Sequence, residues 1–157
     1  MPNQNEEIIN RFYTAFNNRD FATMQNCYHD EAEFHDAVFQ HLNSREVKAM
    51  WQMLLQSSKD IVVTYSEVAA DVQKGSCRWD AVYTFSQTNR KVHNIIHANF
   101  EFKDGKIIKH NDHFDFWRWS KMALGLSGLL LGWTPFLKNK ISTAARGKLQ
   151  KFMSKTF

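Results

Sequence analysis

Apolar residues recur at helical spacing from the start of the chain. Ile8, Ile9, Phe12, Tyr13 and Phe16 share one face, which predicts an amphipathic helix over residues 5–17. Asn17-Asn18-Arg19 breaks that pattern, and Asp20 is placed to cap a second short helix carrying Phe21, Met24 and Tyr28 on one side. Over residues 32–36 the period drops to two. Ala32, Phe34 and Asp36 share one face, and Glu33 and His35 the other, so an apolar strand face ends in a carboxylate. Asn43 with Glu46 forms a capping-box start for Val47, Met50, Trp51, Leu54 and Leu55, the strongest helical repeat in the chain. After Lys59-Asp60 the pattern is strand-like. Ile61–Val72 is β-branched, residues 76–86 alternate with Cys77, Trp79, Ala81, Tyr83 and Phe85 on one face, and residues 92–102 alternate with Ile96, Ala98, Phe100 and Phe102.

Segregated helices followed by a meander of long strands predict an α+β domain. Lys103-Asp104-Gly105-Lys106 joins the last two strands, and two registers compete. A two-residue Asp104-Gly105 turn opposes Phe100 to Lys109 and sets a lysine on the apolar face. A three-residue loop opposes Phe100 to Ile108, Ala98 to His110 and Ile96 to Asp112. The second keeps an unpaired ammonium out of the core and is the register expected. It makes Ile108, His110, Asp112, Phe114 and Phe116 the inward face.

Three polar groups then fall on apolar faces: Asp36, His110 and Asp112. Each has a plain structural explanation. His110 and Asp112, two apart on one strand, can bond each other, and Asp36 can cap the following loop. Their convergence from two strands into ring-rich surroundings also fits a ligand site. The chain has 157 residues, one domain's worth, and aromatic residues make up 14% of it. Phe12, Phe16, Tyr28, Trp51, Trp79, Tyr83, Phe100 and Phe114 are the expected ligand-binding rings. Cys27 and Cys77 have no C-x-x-C spacing, so neither a disulfide scaffold nor a zinc site is expected. No P-loop, G-x-G-x-x-G, H-E-x-x-H or G-x-S-x-G motif occurs, and no cofactor or metal is expected. The start of the chain shows no apolar signal segment, which makes the cytoplasm the expected location.

These elements resemble the nuclear transport factor 2-like superfamily, in its ketosteroid isomerase-like and SnoaL-like polyketide cyclase branch. The resemblance rests on Arg11-Phe12-Tyr13, Asn18-Arg19-Asp20-Phe21, Tyr28 through Asp36, Ser44-Arg45-Glu46-Val47, and Phe102 through Ile108. It covers roughly residues 5–118. It implies a cone: a curved, mostly antiparallel sheet wrapped by three N-terminal helices around an apolar cavity. It also implies a homodimer paired through the outer sheet face, where His97, Asn99, His113 and Asp115 would lie. In the family, the general base is an aspartate just after the first strand, and Asp36 matches it. The oxyanion-holding positions of the steroid isomerases match Phe12 and Ala98, which cannot donate a hydrogen bond. Tyr28 matches one supporting tyrosine, while Gln52 stands at the other. Polyketide cyclases of the family use a His and an Asp on late strands, and His110 and Asp112 are similar in placement. The expectation is therefore a small apolar, carbonyl-containing ligand. The first reading is an isomerase or cyclase in which Asp36 abstracts a proton and His110 or a protonated Asp112 donates to the enolate oxygen. The other reading is a binding or assembly module without chemistry.

Charge is split along the chain. The net charge is +4, yet all 16 acidic residues lie in residues 1–115, while residues 116–157 carry eight of the 20 Lys and Arg. The expected division is a cone domain over residues 1–118 and, over residues 119–157, an apolar loop followed by a basic helix. Met122–Leu137 is an uncharged run of 16 residues broken by Gly125, Gly128, Gly132 and Pro135, too short to span a bilayer. Leu137, Ile141, Ala145, Leu149 and Phe152 then repeat at helical spacing among lysines and arginines. The reading preferred is that the loop covers the cone's mouth or a dimer partner and the cations are solvated. Weak membrane-surface contact through the basic helix is the alternative. Nucleic acid is not expected as a partner, for want of an aromatic stacking platform among the basic residues.

Overall fold

The computed structural model describes residues 2–157. Asn3 opens α1 (Gln4–Asn17) with a capping box closed by Glu6, and Asp20 caps α2 (Phe21–Asn26) by accepting the Thr23 N–H. The chain turns between them at Asn18 and Arg19, the latter with φ of 61°. Asn43 and Glu46 form the expected capping box of α3 (Ser44–Ser57), whose Val47, Met50, Trp51 and Leu55 are buried.

Six strands form one curved sheet in the order β2-β1-β6-β5-β4-β3. They are β1 (Tyr28–His35), β2 (Leu42–Asn43), β3 (Val62–Ala70), β4 (Lys74–Phe85), β5 (Arg90–Lys103) and β6 (Lys106–His113). β1 runs parallel to β6 and every other pairing is antiparallel. The first three helices and the inner sheet face enclose one large core that includes Phe12, Tyr13, Phe16, Phe34, Trp51 and Phe100. The architecture is the α+β arrangement that the sequence predicts.

The last hairpin departs from the expected register. Asp104 and Gly105 both have positive φ, 54° and 72°, and form a two-residue turn that pairs Phe102 with Ile107. The register then slips by one residue, so Glu101 pairs with Lys109, Phe100 with His110 and Ala98 with Asp112. The extra residue is Ile108, a bulge. It keeps the tight Asp-Gly turn, buries Ile107 and still sends Lys109 to solvent. The three-residue loop was favoured because a regular two-residue hairpin would bury that lysine, and the bulge removes the conflict.

β6 stops at His113, so Phe114 and Phe116 lie beyond the strand; Phe114 still faces inward and Phe116 opens α4. Asp115 caps α4 (Phe116–Leu124) by accepting the Arg118 N–H at 3.0 Å, instead of standing on the outer sheet face. The run expected to be an apolar loop is helical too: α5 (Leu126–Leu131) follows Gly125, and α6 (Pro135–Thr156) begins at a Thr134 cap. α5 has no side-chain cap. Its stability comes from lying against α4, a tertiary effect that propensity does not register. α6 packs onto the body through buried Leu137 and Leu149, with Ser142 Oγ donating to the Val38 carbonyl and Arg146 to that of Gln40. No helix among the described residues is long and apolar enough to cross a membrane.

Candidate functional site

The inner sheet face, α3 and α6 leave a cavity of about 270 Å³. Of the residues expected to form a site, Phe16, Asp36, Trp51, Trp79, Tyr83, Asp112 and Phe114 line it. Phe12, Tyr28, Phe100 and His110 do not. They are packed behind its wall with at most 2% of their surface exposed. The reason is depth. Phe12 and Phe16 share one face of α1, but Phe12 points into the packed end of the cone, edge-on to Tyr28, Trp51 and His110.

Asp36 follows β1 at the edge of the cavity. Its Oδ1 accepts the backbone N–H groups of Val38 at 2.7 Å and Phe39 at 2.5 Å, closing a tight loop. Burial raises its pKa to about 7, the two N–H bonds offset part of that rise, and the charge of Asp112 adds to it. Asp36 thus caps the loop and also faces the cavity.

Asp112 sits deeper, on β6. Its Oδ1 accepts from Trp79 Nε1 at 3.3 Å and lies 2.9 Å from His110 Nε2. The other ring nitrogen of His110 lies 2.7 Å from Tyr28 Oη, which in turn accepts from Trp51 Nε1 at 2.8 Å. Both nitrogens of His110 are therefore engaged within the protein, and its ring is fully buried. The expectation that His110 touches a ligand is corrected: it holds Asp112, and Asp112 faces the cavity.

Other donors line the cavity wall, among them the unpartnered hydroxyl of Ser58, Tyr83 and Asn94. Tyr83 Oη accepts from Trp119 Nε1 at 2.8 Å, which leaves its own O–H free to point inward. Burial raises the pKa of Tyr83, so it stays protonated. Asn94, on β5, lines the cavity with no side-chain hydrogen bond to another described residue, although it is 8% exposed. Asn94 is not among the residues expected at the site, although its signal is in the sequence: it shares the parity of Ile96 and Ala98 and is the polar member of that inward row. Trp119 and Lys148, which α4 and α6 bring to the cavity, carry no such signal. Among the described residues, no group of three or more His, Cys, Asp or Glu is placed to hold a metal ion.

The SnoaL-like domain pattern matches residues 9–110. The chain belongs to the SnoaL-like domain family. Several solved structures share the fold. An LEH-like epoxide hydrolase of M. tuberculosis is 21% identical with a TM-score of 0.65, the match covering 81% of this chain and 95% of that one. IdmH, a candidate polyketide cyclase from Streptomyces antibioticus, is 19% identical with a TM-score of 0.64, covering 82% and 100%. A protein of ketosteroid isomerase-like fold from Catenulispora acidiphila, solved with trimethylamine, is 11% identical with a TM-score of 0.68, covering 82% and 98%. No curated protein sequence matches the chain significantly. At these identities the structural neighbours establish the fold and leave the reaction to this chain's own residues.

Proposed function

We propose that the cavity binds a small, largely apolar carbonyl compound and that Asp36 moves a proton at the carbon next to the carbonyl, as in an isomerase or a cyclase. The observation that carries this reading is a carboxyl group with a pKa of about 7 on the wall of an aromatic-lined cavity that also offers unspent donors. Near neutral pH, about half of Asp36 is ionised and can accept a proton from carbon. The resulting enolate oxygen would take hydrogen bonds from Tyr83 O–H and Asn94 N–H, in place of His110 or a protonated Asp112. Protonated Asp36 then returns its proton to another carbon of the ligand, completing an isomerisation. In a ring closure, the enolate carbon instead attacks a second carbonyl, and the alkoxide formed takes the proton. Asp112, held by His110 and Trp79, stands near Asp36 and adds to the rise of its pKa.

The SnoaL-like family and the cyclase-like neighbours support this reading at the level of the fold. One observation favours the alternative, a binding module without chemistry: Asp36 Oδ1 is already occupied by two backbone N–H groups.

A panel of enolisable aromatic and aliphatic ketones tests both. Binding is read from quenching of Trp51, Trp79 and Trp119, and proton abstraction from NMR loss of the α-proton in D2O. The base assignment predicts that Asp36→Asn retains binding and loses exchange by about a hundredfold or more. Equal exchange by the variant removes the assignment, and binding without exchange in the unaltered protein favours the module.

A further inference from the structure

α5, the turn that follows it and the first turn of α6 present a ridge of large apolar side chains to solvent. Leu126 is 70% exposed, Leu130 60%, Trp133 69% and Phe136 68%, and Leu129 and Leu131 are also exposed. Isolated exposed leucines are ordinary on a folded domain. Six large apolar side chains within eleven residues are not, and such patches mark contact surfaces. The ridge is held in place from behind. A Cβ on Gly128 would lie 1.9 Å from the Ser120 carbonyl oxygen, so α5 rests directly on the backbone of α4. Trp117 Nε1 donates to the Leu129 carbonyl at 3.1 Å, and Trp133 Nε1 to that of Leu130 at 3.0 Å. With its glycine side against α4, the helix directs its leucines outward.

The surroundings of the ridge are cationic. Lys121 Nζ lies 4.4 Å above the Trp117 ring. Lys138 shares a shallow cleft with Trp117 and Trp133, and Lys140 is exposed one turn beyond Phe136. From Phe116 to the end of the chain there is no acidic residue. The acid just before this segment, Asp115, accepts the Arg118 N–H at the start of α4. Among the described residues, the ion pairs involve other cations and leave Lys121, Lys138 and Lys140 without a carboxylate.

We propose that this ridge seats the protein on an anionic lipid surface. Leu130, Trp133 and Phe136 enter the boundary between headgroups and acyl chains, where tryptophan is favoured, while Lys121, Lys138 and Lys140 meet the lipid phosphates. The elements responsible are α5, the turn after it and the first turns of α6. The apolar face of α6, the candidate suggested by the sequence, is already spent on the body through Leu137 and Leu149. A second copy of the chain fits the patch less well. Two-fold pairing through the ridge would press the same lysine rim against itself, with no acid in the segment to answer it.

The test is co-sedimentation of the full chain with vesicles of phosphatidylcholine alone and of phosphatidylcholine mixed with phosphatidylglycerol. Deleting the tail would uncover the core under Leu149, so point substitutions are required. The expected result is binding to the mixed vesicles only, weakened by salt. Leu130→Ser, Trp133→Ser and Phe136→Ser combined in one chain should lower it at least about tenfold with an unchanged thermal melting curve. Lys121→Gln with Lys140→Gln should weaken it independently, which keeps the proposal testable if the triple variant misfolds. Binding to neither vesicle, equal binding to both, or binding by well-folded variants that matches the unaltered protein overturns the proposal. It is also overturned if light scattering shows a dimer that the serine substitutions convert to a monomer, which would assign the ridge to a second copy.

Discussion

Tyr28 and His110 stack with ring centroids 6.1 Å apart and share a 2.7 Å hydrogen bond, flanked by Trp51 on one side and Asp112 on the other. Trp51 Nε1 can only donate, and it donates to Tyr28 Oη. The phenol's own proton is then free to go to His110 Nδ1, while Nε2–H faces the Asp112 carboxylate, which can only accept. Polarity runs from Trp51 through Tyr28 and His110 to the Asp112 carboxylate, and Trp79 donates to that carboxylate from the other side.

Tyr28→Phe therefore removes one oxygen and strands two buried groups, the Trp51 N–H and His110 Nδ1. The expected cost is about 2–4 kcal/mol, read from urea denaturation. In 15N NMR, the His110 Nδ1 resonance should shift in the variant, which takes away its partner, while Nε2 stays bonded to Asp112. An Nδ1 resonance unchanged by the substitution would refute the relay.

Asp36 makes stability depend on pH. Its folded pKa of about 7 lies well above the value of about 3.9 expected in the unfolded chain, so the folded state holds the proton more tightly. Stability from this group is full below about pH 4 and is lost as the pH rises toward 7. Asp36→Asn keeps the Oδ1 acceptor for Val38 and Phe39 and removes the titration. Relative to the unaltered protein, the variant should gain on the order of 2–4 kcal/mol between pH 4 and pH 8, as measured by denaturant midpoints. A constant difference across that range would show that Asp36 is not held in the apolar setting described.

The capping box that starts α3 can be tested without touching the cavity. Asn43→Ala removes the acceptor of the Glu46 N–H, a 2.9 Å bond, and should cost about 1 kcal/mol in thermal unfolding.

Gly128 allows α5 to lie on α4. Gly128→Ala places a methyl group where the Ser120 carbonyl stands, and backbone cannot yield as a flexible side chain can. About 2–3 kcal/mol of destabilisation is expected, together with protease cleavage within residues 125–134. An alanine variant as stable as the unaltered protein would mean that the two helices are not packed so closely.

Most secondary elements were legible because their causes are local. Asn3, Asp20 and Asn43 cap helices from their own sequence neighbourhood, and alternation in β4 and β5 depends only on which face is covered. The error in β6 has a different origin. Lys109 had to face solvent and Asp104-Gly105 had to form a tight turn. Only a bulge satisfies both, and its position at Ile108 depends on pairing with β5. The helix of Leu126–Leu131 was missed for a similar reason. It is short and glycine-bearing, and α4 supplies the surface that stabilises it.

The candidate site divides the same way. The sequence by itself determined that Asp36, His110 and Asp112 lie on apolar faces, and that α3 and the central strands carry inward rings. The periodicity of a helix or strand fixes the side a residue occupies. The tertiary structure decided how far along the cone each residue sits: Phe16 opens on the cavity where Phe12 is sealed, and Asp112 faces the space that His110 does not reach. It also brought Asn94, Trp119 and Lys148 to one rim from three separate elements. Whether an inward face meets packed rings or empty volume is set by elements distant in sequence, since a cavity is bounded from several sides at once and its boundary is not written in the period of any one of them.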